Sequence, residues 1–294
     1  MSARARTAGA PSVVAAVAAA LVLLVTAGAF GDDEPTAEEA VERARALVRQ
    51  GQQADAEEYL ATLVREEGGP HARDPEVLLE AARLSTSGAA CRAYAQRAIE
   101  NTRDSSVIEA ARMLMGDSYF AESLYLSASI EYEHAARHAS QRGPGEADLK
   151  RARSILASGD AGAAAEAYRE IADWGATPNE VTAEADVGLG RALLEAGRPI
   201  EAAEQFETAA RIHEDGGIRR RALKGAAESH EASGHHAEAV AALELLLAGY
   251  PDSYEGVLAR EKLRTYAVPD SSALLGDAPD TTGTADAPGD SAGR

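Results

Sequence analysis

Apolar and small residues recur along this chain at helical spacing, and small-residue turns punctuate the runs. The turns stand at Gly51, Thr86 to Gly88, Ser123, Gly159, Gly197 and Gly234. Taking Thr86 for the second, successive turns are 35, 37, 36, 38 and 37 residues apart. Between turns, sets such as Ala202, Phe206 and Ala209 share one helix face. No run of period-two alternation stands out, and aromatic residues make up only 4% of the chain. Ala, Leu, Glu and Arg are abundant, and they are the strong helix formers. The pattern predicts an all-α chain of about six helix pairs. A helical repeat of this length builds a solenoid, since one pair alone cannot bury its apolar faces. Solenoids commonly serve to hold other molecules.

The clearest unit runs from Ala183 to Gly216. Leu189, Gly190 and Leu193 lie in its first helical segment, Gly197 makes the turn, and Ala202, Phe206 and Ala209 follow. Small residues at Gly190 and Ala202 let two antiparallel helices approach, and Phe206 fills the space beside them. This unit resembles the tetratricopeptide repeat (TPR). It departs from the family pattern twice: Asp186 stands where Trp is frequent, and Glu214 where Pro is frequent. The third unit follows the same frame with Met115, Gly116, Tyr119, Tyr125, Ala128, Tyr132 and Ala135. The fourth has Ala152, Ile155, Ala164, Tyr168 and Ile171, and the sixth Ala227, Ala239, Leu243, Leu246 and a terminal Pro251. The first has Ala44, Leu47, Ala56, Leu60 and Leu63. The second is the weakest, with Leu79, Cys91, Ala95 and Ala98 around a Ser-Thr-Ser-Gly turn. Extra residues at Glu66–Asp74 and Ala139–Glu146 fall between units, where they lengthen loops only. The resemblance implies a right-handed superhelical, TPR-like helical-hairpin solenoid over residues 36–266.

Helix-end chemistry agrees. Thr36-x-x-Glu39 and Ser106-x-x-Glu109 read as capping boxes. Asp74-Pro75 places a cap before a first-turn proline. Pro251-Asp252-Ser253 restarts a helix to about Tyr266, with Val257, Leu258 and Leu263 apolar. This C-terminal capping helix is expected to cover the last open face.

The two ends are different material. Arg4 and Arg6 precede an uncharged stretch whose apolar part runs from Val13 to Val25, and Ala27-Gly28-Ala29 offers a small-x-small cleavage site. Residues 1–31 therefore read as a signal peptide or an N-terminal membrane anchor, with residues 13–30 as the tether in the second case. Either way the positive flank stays inside and the repeats are exported, periplasmic or anchored to the inner membrane. Residues 268–294 are Pro, Gly, Asp, Ser, Thr and Ala-rich, and are expected to form a disordered acidic tail.

Charge and chemistry narrow the function. With 48 acidic against 29 basic residues the net charge is −19, which disfavours nucleic acid and anionic lipid as ligands. The single Cys91 cannot form an internal disulfide. No HExxH, phosphate-binding glycine loop or G-x-S-x-G occurs, so no catalytic residue, metal or cofactor is assigned. Glu131, His134 and His138 share a helix face, but no fourth metal ligand follows from the spacing. Trp174 reads as packing toward the next unit or as a partner anchor.

In TPR arrays the first helix of each unit lines the concave groove. The resemblance places Met113, Asp117 and Phe120, then Leu149, Arg153 and Leu156, on that face. Val187, Arg191 and Leu194 follow, and then Arg221, Lys224 and Glu228. The candidate partner-binding set is Arg153, Arg191, Arg221, Lys224, Met113, Phe120 and Leu156. Cations inside an acidic protein suit a protein or peptide partner with acidic segments; pairing with neighbouring carboxylates is the competing reading. Gly234, Ala239, Leu243 and Tyr250-Pro251-Asp252-Ser253 also resemble exported bacterial envelope TPR proteins of the Tol–Pal-associated or outer-membrane assembly type. The expected function is a non-enzymatic protein–protein interaction scaffold in the cell envelope. The alternative is a solenoid-based ligand- or metal-binding receptor or enzyme.

Overall fold

A computed structural model describes residues 34–65, 68–139, 143–174 and 179–267. The expected signal or anchor segment and the acidic tail lie outside these residues. Among the described residues there are thirteen helices and no strand. The fold is all-α and TPR-like, built from helical hairpins. None of these helices is long and apolar enough to cross a membrane.

The chain divides into two compact units at Glu122/Ser123, where the repeat frame expects one continuous array. The first unit contains α1 (Ala37–Arg49), α2 (Gln53–Leu63), α3 (Pro75–Leu84), α4 (Gly88–Glu100) and α5 (Ser105–Ala121). The second contains α6 (Tyr125–Ala136), α7 (Glu146–Ala157), α8 (Ala161–Ala172), α9 (Glu180–Glu195), α10 (Pro199–Ile212), α11 (Gly216–Ala232), α12 (His236–Gly249) and α13 (Tyr254–Ala267). Odd-numbered helices up to α11 are the first members of the predicted pairs. The boundary falls in the turn of the third pair.

The turns explain the periodicity. Gly51, Gly159, Gly197 and Gly234 have φ of +79°, +93°, +74° and +79°, and Ser123 adopts +60°. A left-handed residue ends a helix by redirecting its last N–H groups to free carbonyls. Gln52 N–H reaches Leu47 O at 2.9 Å, and Arg198 N–H reaches Leu193 O at 2.9 Å. The second turn does without a left-handed residue. There the Glu57 carboxylate of α2 accepts from Thr86 N–H at 3.1 Å and from the Thr86 hydroxyl at 3.0 Å. Ser87 then caps α4 through Ala90 N–H. A side chain replaces what glycine supplies elsewhere.

The Thr36 and Glu39 capping box forms, and Asp74 caps α3. The expected Ser106–Glu109 box does not. Asp104 caps α5 instead, accepting from Ser106 N–H at 2.8 Å. A carboxylate placed before the first turn outcompetes a hydroxyl already inside it.

Packing is matched by size along the stack. In the second unit the Tyr168 ring of α8 lies against Gly188 of α9, where an added Cβ would sit 2.4 Å from it. The Phe206 ring of α10 meets Gly225 of α11 in the same manner, with an added Cβ 2.5 Å away, and it also lies against Gly190 of its own pair, where an added Cβ would sit 2.8 Å from it. Gly188 and Gly225 each stand nine residues before their turns. The equivalent residue on α7 is Lys150, whose ammonium lies 5.8 Å from the centroid of the Tyr132 ring of α6. In the first unit Leu60 shares a cluster with Val77, and the small Ala95 shares one with the large Leu114. Large-on-small packing between pairs is shown for Tyr168 on Gly188 and Phe206 on Gly225.

The core reflects this. The second unit has one continuous buried cluster from Ala152 to Ala259. The first has two, one from Ala40 to Ala98 and one from Ala82 to Met115. Helix α13 covers the end as expected. Ala259 is buried and Leu263 and Tyr266 pack on the core, while Val257 faces solvent. Tyr266 donates to Glu231 at 2.6 Å, and Lys262 pairs with the same carboxylate.

Candidate functional site

The candidate residues fall on helices of both units. Met113 and Phe120 lie on α5 of the first unit, half-buried. Arg153, Leu156, Arg191, Arg221 and Lys224 lie on α7, α9 and α11 of the second. Leu156 packs on the second unit's core, as do Leu149, Val187 and Leu194. The aliphatic part of the predicted strip is therefore largely spent on packing, and its polar part is what remains at the surface. The charges of Arg153 and Arg191 both act to lower the pKa of the buried Tyr168 hydroxyl. Burial dominates there and pushes that hydroxyl up to about 12.

Arg191, Lys224 and Arg221 have carboxylate partners. Arg191 Nε donates to Glu195 Oε1 at 2.9 Å, one helical turn away. Lys224 pairs with Glu228 at 3.5 Å, also one turn away. Arg221 of α11 makes a two-pronged contact with Glu184 of α9, at 2.5 and 2.9 Å, and this raises the Arg221 pKa. The pairs are exposed, with the Arg191 side chain 71% accessible. Such pairs are worth about 0–1 kcal/mol, so an incoming carboxylate can exchange with the resident one at low cost.

One register position separates the units. Arg45, Glu80, Asp117, Arg153, Arg191 and Glu228 each stand six residues before a turn, on consecutive first helices. In the first unit Arg45 of α1 grips Glu80 of α3 with two bonds of 3.2 Å. Arg83 adds a third at 2.5 Å. The Glu80 side chain is only 5% exposed, and Arg45 is driven above its ordinary pKa by it. In the second unit Arg191 and Glu228 do not close on each other. Each turns to a neighbour on its own helix.

The remaining sequence candidates resolve simply. Arg137 Nη1 donates to His134 Nδ1 at 3.3 Å, and among the described residues no group of three His, Cys, Asp or Glu side chains is placed to hold a metal. Trp174 lies against Gly143, where a Cβ would meet its indole nitrogen at 2.3 Å, yet it remains 54% exposed. It closes over the loop before α7 and lines a recess of about 310 Å³. Cys91 is buried and its thiol pKa is raised, chiefly by burial, the condition of an inert thiol.

Sequence reasoning missed a buried polar group. Asp186 of α9 accepts from His213 Nε2 at 2.7 Å and from Gln205 Nε2 at 2.8 Å. His213 follows α10 and is 6% exposed. The signal was present in two departures from the repeat pattern, Asp186 itself and the adjoining Glu214.

No protein-family model matches the chain, and no curated protein sequence matches it. Solved structures do. One is YrrB, described as a TPR protein with an unusual peptide-binding site, at 19% identity over 69% of this chain and 97% of that one, with a TM-score of 0.48. Another is BtubC (BKLC) from P. vanneervenii, at 18% identity over 87% and 96%, with a TM-score of 0.48. A third is a putative kinesin light chain from Podosopora anserina with nearly identical TPR-like repeats, at 18% identity over 72% and 93%, with a TM-score of 0.46.

Proposed function

We propose that this chain is a non-enzymatic protein-interaction scaffold of the bacterial cell envelope. Its second unit takes an acidic segment of a partner protein on the first-helix face carrying Arg153, Arg191, Arg221 and Lys224. The contrast at the six-before-turn position carries the reading. The first unit satisfies that position internally, with a buried Glu80 between two arginines. In the second, Arg191 and Glu228 sit in exposed, exchangeable pairs. A guanidinium already aligned with a carboxylate offers a ligand carboxylate the same two-pronged geometry.

The export half of the proposal rests on Arg4, Arg6 and the apolar run from Val13 to Val25. A signal peptide or anchor there would deliver the helices outside the cytoplasm.

The test is fluorescence anisotropy with capped peptides of matched length, acidic and basic. The full chain is compared with a variant carrying Arg153→Glu, Arg191→Glu and Arg221→Glu. Acidic peptides should bind the parent chain and lose at least about tenfold on charge reversal, with affinity falling as salt rises. Equal binding by both proteins would sink the proposed face. Cell fractionation and N-terminal sequencing test export; a cytoplasmic protein refutes that half.

A further inference from the structure

Helix α13 covers the core of the second unit, and its own outer side is left bare. Gly256 and Ala259 are buried, and Leu263 and Tyr266 pack on the core. These four recur three or four residues apart and form one stripe. The opposite stripe begins with Tyr254 and Val257, 74% and 41% exposed. Leu258 stands half-buried beside them. Glu261 and Arg264 continue the stripe, both exposed and without an ion pair among the described residues. The terminal helix of a solenoid needs a polar outer face, because no further repeat stacks on it. An aromatic ring and two aliphatic side chains at the start of α13 depart from that rule.

The chain itself carries a segment that fits this face. Helix α13 ends at Ala267, and Val268, Pro269 and Asp270 follow. Proline cannot continue a helix, and Pro-Asp before serine is turn chemistry. A turn there directs the chain back along α13. Val268, Leu274 and Leu275 are the large apolar residues after Ala267, and residues 276–294 contain none. The apolar side chains of the tail thus stand at its root, next to a bare apolar face. Reach agrees with this placement. A helix rises about 1.5 Å per residue, which sets Val257 about 15 Å behind Ala267. After a turn of about three residues, four or five extended residues at about 3.3 Å each cover that distance. Leu274 and Leu275 then come level with Val257 and Leu258. Asp270 leaves the turn near Arg264, and Glu261 falls level with Ser272 and Ala273, where no tail charge opposes it.

We propose that residues 268–276 fold back as a strap over the outer face of α13. Leu274 and Leu275 seat on Tyr254 and Val257, and Asp270 sits against Arg264. The strap closes the open end of the array and supplies the polar outer surface that α13 lacks. A segment tethered this closely meets its face at millimolar effective concentration, so a contact too weak between separate molecules holds within one. Beyond Gly276 the sequence has nothing further to bury. The strap is remote in chemistry from the cationic first-helix face and does not depend on that face binding anything. A second copy stacking end to end is the rival occupant of the same residues.

The experiment is methyl NMR of the full chain with labelled leucine and valine. The Leu274 and Leu275 methyl groups should show ring-current shifts and nuclear Overhauser contacts to the Tyr254 ring. The exposed-face variant Tyr254→Ala, which leaves the inner stripe intact, should return both methyl groups to random-coil positions. In the variant Leu274→Asp with Leu275→Asp, amides of α13 should exchange with solvent at least about fivefold faster, because local opening loses its cover. Random-coil leucine methyl positions in the parent chain, or unchanged α13 exchange in the leucine variant, overturn the proposal. Mixing labelled and unlabelled copies separates the two occupants. Contacts found only between copies assign the face to a second molecule and overturn the strap; contacts within one copy support it.

Discussion

The two units solve the same stacking problem with different materials. In the second, a ring from one pair seats on a bare helix backbone of the next, Tyr168 on Gly188 and Phe206 on Gly225, and one core cluster runs from Ala152 to Ala259. In the first, the core is broken in two and polar clamps join the pairs. Arg45 and Glu80 tie α1 to α3. Arg97 of α4 donates to Val64 O at 2.7 Å and Ala72 O at 2.6 Å, pinning the segment between pairs. Ring-on-glycine packing brings backbones close and uses dispersion, and the charge pair that joins first helices there, Arg221 with Glu184, is partly exposed. The clamp in the first unit takes up the six-before-turn positions, Arg45 and Glu80. In the second unit Arg191 and Glu228 at these positions pair within their own helices, with Glu195 and Lys224.

The sharpest way to break this comparison is to empty the ring seat. Phe206→Ala should cost the second unit about 3–5 kcal/mol, read by chemical denaturation, and should lower its melting transition ahead of the first unit's. If the first unit's transition falls equally, the two do not hold themselves by separate means.

High pH strikes the same interface differently. The Tyr168 hydroxyl is raised by burial to about 12, above its ordinary value near 10. Its contribution is fully present below about pH 10 and is lost as pH rises toward 12. The total is about 2–3 kcal/mol. Ultraviolet titration of Tyr168→Phe against the parent should remove one late-ionising tyrosine. A Tyr168 that ionises near 10 would contradict its burial.

Filling the seat is the next test. Gly225→Ala improves helix propensity by about 1 kcal/mol, yet it drives a Cβ to 2.5 Å from the Phe206 ring. Overpacking of this kind costs about 1–3 kcal/mol, so net loss is expected, with recovery in the double variant Gly225→Ala, Phe206→Leu. A stabilised single variant would show that the ring yields.

The smallest effects compare the clamps. Arg45→Ala removes two bonds to a buried carboxylate and should cost about 1–2 kcal/mol, softened because the arginine is itself half-exposed. Arg191→Ala should cost about 0–0.5 kcal/mol. Equal losses would erase the distinction between a buried clamp and an exposed pair. Cys91 should stay unreactive toward thiol reagents until the first unit unfolds.

Much of this was legible in the residues. Turn glycines, the Thr36 and Asp74 caps, the Ala-x-x-x-aromatic spacing and the covering helix all follow from local backbone chemistry, which a sequence displays directly. The second turn looked degenerate because its stabiliser, Glu57, lies on the preceding helix pair. Ser106 looked like a cap because spacing alone cannot show that the helix already starts at Ser105, with Asp104 as its cap accepting from Ser106 N–H. The candidate partner-binding residues lie on α5, α7, α9 and α11, but sequence could not show that Leu156 would pack on the core or which partner each of Arg191, Arg221 and Lys224 would choose.

By itself, then, the sequence determined the all-α class, the repeat length and where each helix ends, because those depend on short-range φ/ψ preferences and on periodicity. Only the tertiary structure decided that Arg45 meets Glu80 while Arg191 does not meet Glu228, and that Asp186 and His213, 27 residues apart, share a buried bond. Charge pairing is chosen among several partners of similar strength within reach. Packing settles which of them are close enough, and packing is a property of the folded whole.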